Sequence, residues 1–368
     1  MLLQKFINEN ITNYTSLLRN LNINYKRYGE LGLLIVTYKY DFKYDYEKNP
    51  FIRECKGAII RLSDNKVICP SIYKAENEYN LSNYNDNINT DNMILQPLID
   101  GTLINMFYHN TELFISTRSY IGAKNKWDNT SFKNMFDSIV KEKSIDFNEL
   151  DNNNSYSFVL VHRDNIIISQ VEDNNLILVQ EYSPENSCFV NLEDKTDVYK
   201  SFTIIKNNDI KVFQDSLNKS FNHQFKGFTL KNKNNNNRIN FINENYSYVK
   251  NLKDKGSFNN KLLSYLHYRN NNLLAEYLSF FKNDSEIFDK YRNIFFLFKN
   301  ELHSNYINLF IKKTIGKKDI PYQLKNHVFS LHEIYKTQQI KITNEVVNNY
   351  LYALPIKRIC FSLNYYLA

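Results

Sequence analysis

Short runs of β-branched and aromatic residues, separated by Asn- and Asp-rich turns, dominate the first two-thirds of the chain. They are LGLLIVTYKY (32–41), GAIIRL (57–62), NKVICPSIY (65–73), TLINMFY (102–108), ELFISTRS (112–119), SFVLVH (157–162), NIIISQV (165–171) and NLILVQEY (175–182). Runs of this length and composition predict strands. Several alternate apolar and polar positions, while others are near-continuous, as in a strand buried on both faces. Helical spacing is rarer here and predicts helices over 2–22, 131–142 and 209–218. The pattern is that of an α+β domain built on antiparallel sheet.

After about residue 250 the period changes. Apolar residues recur every three or four positions in 261–281, 286–315, 322–338 and 344–368, which predicts helices. Pro321 can start one of them, and Pro355 should break or kink another. The expected organisation is therefore two domains, 1–250 and an all-α 251–368. NKNNNNR (232–238) lies between two apolar segments and reads as the loop of a hairpin. No internal repeat is visible.

Composition changes the picture in one respect. The 368 residues include 57 Asn but 6 Ala, 8 Gly and 6 Pro, the bias of an AT-rich genome such as a viral one. Part of the lysine and asparagine is then drift without a functional message. The formal charge of +7 is unevenly spread: 251–368 hold 17 basic and 9 acidic residues, 1–250 hold 29 and 30. A basic helical third beside a near-neutral body points to a polyanionic partner such as RNA, or to a plain solvated lysine-rich surface. No apolar run reaches about 18 residues, so no membrane span and no membrane partner are expected. The first residues lack the pattern of a secretory signal. Cys55, Cys69, Cys188 and Cys360 are scattered, as for reduced thiols in an intracellular, cytoplasmic protein without a zinc site.

Candidate chemistry gathers in an ordered set of segments: RECKGAII (53–60), PSIYKAENEYN (70–80), LIDGTLINMFY (98–108), FISTRS (114–119), SFVLVHRDNIII (157–168) and FKGFTL (225–230), with Tyr246 beyond. Each alone is weak, and Asp-Gly is by default a turn. In order, they resemble the ATP-dependent RNA ligases of the T-even phage tRNA-repair type. Those proteins carry E-C-R-G, K-F-F-N, K-x-D-G, S-K-G or T-R-G, F-E-F-V…N-R-I-V, E-G-x-V and a closing K-x-K strand. Glu54, Cys55 and Gly57 match the first, with Lys56 for the arginine; Lys74 and Asn77 match the ends of the second. Asp100, Gly101, Thr117, Arg118, Phe158, Val161, Asn165, Ile167 and Gly227 match further positions. The resemblance covers most of 1–250 and, more loosely, the helical tail. It implies an ATP-grasp-like RNA/DNA ligase nucleotidyltransferase domain, followed by helices.

The departures fall on the chemistry. The resemblance places the nucleophilic lysine, which would form lysyl-AMP, at Leu98. It places the ribose-binding glutamate at Val159, the glutamate of E-G-x-V at Lys226, the closing lysines at Asn240 and Ile242, and the arginine of N-R-I-V at Ile166. Rate in phosphoryl chemistry comes from positioned cations and carboxylates, so these changes predict a degenerate ligase, a pseudo-enzyme without nucleotidyl transfer and with no cofactor. ATP and Mg would be expected only if displaced groups, Lys226 first among them, had taken over. A third reading is a structural or assembly component with an apolar cleft. Lys56, Lys74, Asp100, Gly101 and Arg118 are the expected nucleotide or phosphate contacts, each lysine having a bland counterpart as a surface residue.

His162, His223 and His267 are isolated in sequence and read as structural. His327 and His332 are five apart, on different helix faces, whereas a shared zinc needs four. Trp127 could stack on a base or anchor a rim. Lys312, Lys313, Lys317 and Lys318 form the densest positive patch, interleaved with Phe310 and Tyr322. They are the expected RNA contacts, or a plain solvated helix end; a protein partner is the other partner expected for the chain.

Overall fold

The computed structural model describes residues 1–39, 41–81, 92–127, 129–208, 221–233, 237–256, 258 and 260–367. The chain divides into two compact units, Met1–Tyr248 and Val249–Ala368.

In the first unit, β1 (Ile23–Tyr28), β2 (Leu33–Tyr38), β3 (Lys56–Arg61) and β4 (Lys66–Cys69) form an antiparallel sheet in chain order. Alternation divides its side chains between two cores. Leu34, Val36, Ala58 and Ile60 pack on helices Leu2–Glu9 and Tyr14–Asn20, while Leu33, Ile35 and Ile59 face Phe107 and Ile121.

Further along come β5 (Asn77–Asn80), β6 (Met93–Pro97), β7 (Thr102–His109), β8 (Glu112–Ser116), the short pair β9 (Lys126–Trp127) and β10 (Thr130–Ser131), and β11 (Ser155–Val161). They are followed by β12 (Asn175–Ser183), β13 (Cys188–Phe189), β14 (Thr203–Ile204), β15 (Gly227–Asn232) and β16 (Arg238–Ile242). A second sheet runs β13-β12-β11-β7-β8, with β14 parallel to β12, and a third runs β5-β16-β15-β6. Helix Phe132–Lys143 covers the second sheet: Ser131 Oγ accepts the Asn134 N–H at 3.1 Å, and Met135, Phe136 and Ile139 pack on Ile104 and Phe158.

On the third sheet Leu95, Phe228, Leu230 and Phe241 share a core with Leu81. The alternate positions, Leu98 beyond β6, Thr229 and Lys231 on β15, and Arg238, Asn240 and Ile242 on β16, therefore belong to the opposite face. The β15–β16 pair carries an Asn232 N–H to Asn237 O hydrogen bond of 2.8 Å beyond its Lys231–Arg238 end; part of the polyasparagine run lies outside the described residues.

Two expectations change, and a third is not reached. NIIISQV is a loop, not a strand, because the Ile168 and Ser169 amides are given to Asp100 instead of a neighbouring strand. The first 22 residues form two short helices, with β1 beginning at Ile23. The expected helix at 209–218 lies outside the described residues.

The second unit is built from helices, among them Lys261–Asn270, Leu274–Phe280, Ser285–Tyr306, Tyr322–Gln338, Asn344–Ala353 and Ile356–Asn364. Pro321 precedes the Tyr322 helix, and Pro355 splits the last segment in two. The mixed α+β class, with antiparallel sheets and C-terminal helices, is thus the one the hydrophobic pattern predicts. Among the described residues no helix is long and apolar enough to cross a membrane. All four cysteines are free thiols, and only Cys188 is exposed.

Candidate functional site

Asp100 is firmly anchored in the first unit. Its side chain is only 5% exposed. Oδ2 accepts the N–H groups of Ile168 and Ser169, both at 2.9 Å, and Oδ1 accepts the Tyr246 hydroxyl at 2.6 Å. Lys226 Nζ lies 3.6 Å from Oδ1 and donates to Ile99 O at 3.5 Å. Asn165, in the same loop, donates through Nδ2 to Thr102 Oγ1 at 2.8 Å. Asp100 is therefore saturated by protein, and the loop that failed to become a strand is its clamp.

A group of cations surrounds Lys56. Burial, with Arg118, Lys226 and Arg238 acting through space, lowers the Lys56 ammonium to about 8, and Glu78 opposes the shift. Arg238 is buried, its pKa is lowered to about 10 by desolvation, and its Nε and Nη2 have no hydrogen-bond partner. Lys231, paired across from Arg238, is lowered to about 7 by burial and then by that guanidinium. A buried, unsatisfied guanidinium is unfavourable unless an anion meets it. Arg238, Lys231 and Glu78 escape sequence reading because their motif positions carry no signal. Arg238 in particular closes the polyasparagine run.

The scaffold glycines have steric reasons. Gly57, at φ +105°, lies so close to Arg118 that a Cβ would sit 2.8 Å from its Cα and carbonyl oxygen. Gly227, at φ +140°, would meet Phe241 O at 2.0 Å. At Gly101 a Cβ would come within 2.5 Å of Leu160 O. These contacts hold strands together.

Leu98, where the resemblance places the nucleophilic lysine, donates its backbone N–H to Gly227 O at 2.8 Å. Leu98, Val159 and Ile242 are all half-buried. Asn240 Nδ2 donates to Glu78 Oε1 at 3.3 Å.

Two further motif residues are engaged by protein groups. Glu54 accepts the N–H groups of Leu2 and Leu3, at 3.1 and 2.7 Å, and so caps the first helix; Cys55 is buried in the same core. Lys74 is not gathered with Lys56: its Nζ donates to Tyr46 OH at 2.8 Å and lies 4.7 Å over that ring and 5.5 Å over Tyr38.

His162 accepts the Asp164 N–H at Nδ1, which leaves Nε2 to donate to Ser138 Oγ, 3.1 Å away. His327 is buried between Tyr350 OH and Ser362 Oγ, both at 2.9 Å, and burial lowers its pKa to about 4. His332 stacks on Phe310 instead. Trp127 is exposed on β9. In the second unit, Lys312, Lys313, Lys317 and Lys318 are all exposed on the segment after the π-helical turn Ile307–Ile311.

The residues fit ATP only in part. The cations around Lys56 suit phosphate oxygens. Among the described residues no group of three or more His, Cys, Asp or Glu side chains is placed to hold a metal ion.

No protein-family model and no curated protein matches the chain. Solved structures do. A putative ATP-dependent DNA ligase from Aquifex aeolicus is 13% identical, with 76% of this chain and 75% of that chain covered and a TM-score of 0.46. An archaeal ATP-dependent RNA ligase is 10% identical, with coverage of 66% and 64% and a TM-score of 0.45. A Naegleria gruberi RNA ligase variant, described with ATP and Mn, is 9% identical, with coverage of 43% and 51% and a TM-score of 0.33. The chain spans less than two-thirds of the archaeal and Naegleria proteins. These likenesses concern the fold, and the site is read from its own residues.

Proposed function

We propose that this chain is an RNA ligase-like protein that binds RNA without transferring a nucleotide to itself. The observation that carries the reading is Leu98. It occupies the side-chain position from which lysyl-AMP would form, and a saturated hydrocarbon has no lone pair with which to attack a phosphorus atom. Lys226 does not replace it, because its ammonium is ion-paired to Asp100. A nucleophile has to present a free amine.

What the site retains is recognition chemistry. Arg118, Lys226 and Arg238 act through space on Lys56, with Glu78 opposing them. That balance favours a phosphate-bearing group, such as an RNA end or a nucleotide, held without turnover. The exposed lysines of the helical unit supply contacts to an RNA backbone.

The test is incubation of the purified protein with α-labelled ATP and Mg or Mn, followed by denaturing electrophoresis. No covalent label is expected. An acid-labile adduct that disappears in Lys226→Ala would overturn the reading in favour of an active ligase. Absence of RNA retention at low salt would favour the structural-component reading instead.

A further inference from the structure

The helical unit carries a row of rings beside its lysine segment. Phe310 and His332 stack at 3.7 Å with an interplanar angle of 4°, and His332 continues to Tyr335 at 5.9 Å and 18°. Phe329 meets Phe310 edge-on at 6.0 Å, and Lys317 Nζ lies 5.8 Å over the Phe329 ring. The sequence of groups is continuous: Lys317, Phe329, Phe310, His332, Tyr335. It ends in an open ring, since Tyr335 is 41% exposed.

Two features of this region lack a structural motive. Phe310 sits in a π-helical turn, a geometry frequent at functional sites. The turn itself ends in an ordinary left-handed cap at Lys313, φ +56°, with Thr314 N–H returned to Asn308 O at 2.9 Å. The Nδ1 of His332 is buried and has no hydrogen-bond partner.

The charge is one-sided as well. Lys312, Lys313, Lys317 and Lys318 are exposed, and Lys336 follows Tyr335 on the helix. The acid of the segment, Asp319, has its Oδ2 occupied by the Gly316 N–H at 2.7 Å. Glu333, one position after His332, points about 100° away around the helix.

We propose that the Phe310–His332–Tyr335 row, with the adjoining lysines, binds single-stranded RNA, its bases extending the ring stack and its phosphates meeting the lysines. This rests on the RNA-binding reading above and adds to it the strandedness and the face. Charge complementarity selects a polyanion. The parallel rings select one whose bases are free, because duplex bases are already stacked on each other. An acidic protein would use the lysines but leave the rings idle.

The experiment is fluorescence anisotropy of the full chain with a labelled 20-nucleotide single-stranded RNA, the matching RNA duplex and polyglutamate, across a salt series. Single-stranded RNA is expected to bind tightest. Tyr335→Ala should weaken it about tenfold with the salt slope unchanged, and Tyr335→Trp should restore it. Changing Lys312, Lys313, Lys317 and Lys318 together to Ala should lower the slope by about 3.

RNA binding untouched by Tyr335→Ala but lost with the four lysines would overturn the stacking face and leave the RNA reading standing. Equal affinity for the duplex or for polyglutamate would overturn it too. No RNA binding even at low salt would sink both. Tyr335 is exposed, so its replacement is not expected to unfold the unit, and circular dichroism checks this.

Discussion

The two units handle positive charge in opposite ways. In the sheet-built unit, Lys56, Lys231 and Arg238 are drawn inside, and burial lowers all three. In the helical unit, Lys312, Lys313, Lys317 and Lys318 are exposed on one segment. A buried cation destabilises the fold until an anion meets it, so it can recognise a small group at a fixed place. Exposed cations cost little and act through a field that salt screens within about 10 Å. The proposed functions thus assign two modes of anion recognition to one chain.

The sharpest break in this comparison should come from Asp100. Asp100→Ala removes the acceptor of three hydrogen bonds and leaves Lys226 without its counter-ion. A loss of about 3–5 kcal/mol is expected, read from urea unfolding of the first unit.

Acid should single out the other unit. His327 is lowered from 6.5 to about 4 by burial, with Arg358 adding to it. Tyr350, Ser362 and Phe298 face its ring. Above about pH 6.5 both folded and unfolded states hold neutral imidazole, and the stability is fully present. As pH falls from 6.5 to 4 the unfolded state takes up the proton first, and about 3 kcal/mol is lost. Thermal unfolding at pH 7.5 and pH 5 should show this for the helical unit, and His327→Gln should flatten it.

Arg238→Met should raise stability by about 1–2 kcal/mol, since an apolar side chain replaces an unsatisfied buried cation. The same change should weaken binding of pyrophosphate, measured by calorimetry. Alkali should weaken pyrophosphate binding as well, because Lys231 and Lys56 discharge as pH passes about 7 and about 8. Those lowered lysines also make the fold itself more stable as pH rises from these values toward about 10.5, a contribution lost again as pH falls. The smallest effect belongs to the exposed segment: the four lysines changed to Ala should shift stability by no more than about 0.5 kcal/mol.

Much of the architecture was legible in the hydrophobic pattern because period and composition are local properties. The β-branched runs gave β2, β3, β7, β11 and β12, and the prolines marked helix boundaries at Pro321 and Pro355. NIIISQV misleads because its fate depends on Asp100, more than sixty residues away. Lys226 illustrates the same limit. Its partner is 126 residues distant, so only the fold reveals that this lysine is engaged. Glu54 and Lys74 matched motif positions, yet the structure uses one as a helix cap and holds the other among tyrosines. Arg238 lay hidden behind asparagines, where nothing local distinguishes a loop residue from a buried one.

Gly57 has a wider consequence. Any side chain there would push β3 away from the backbone of Arg118, so selection would preserve this glycine for as long as the fold is kept, whatever becomes of the reaction. The same holds at Gly227. A motif search that scores such glycines therefore reads architecture, and a lineage could abandon nucleotidyl transfer entirely while its signature remained half intact.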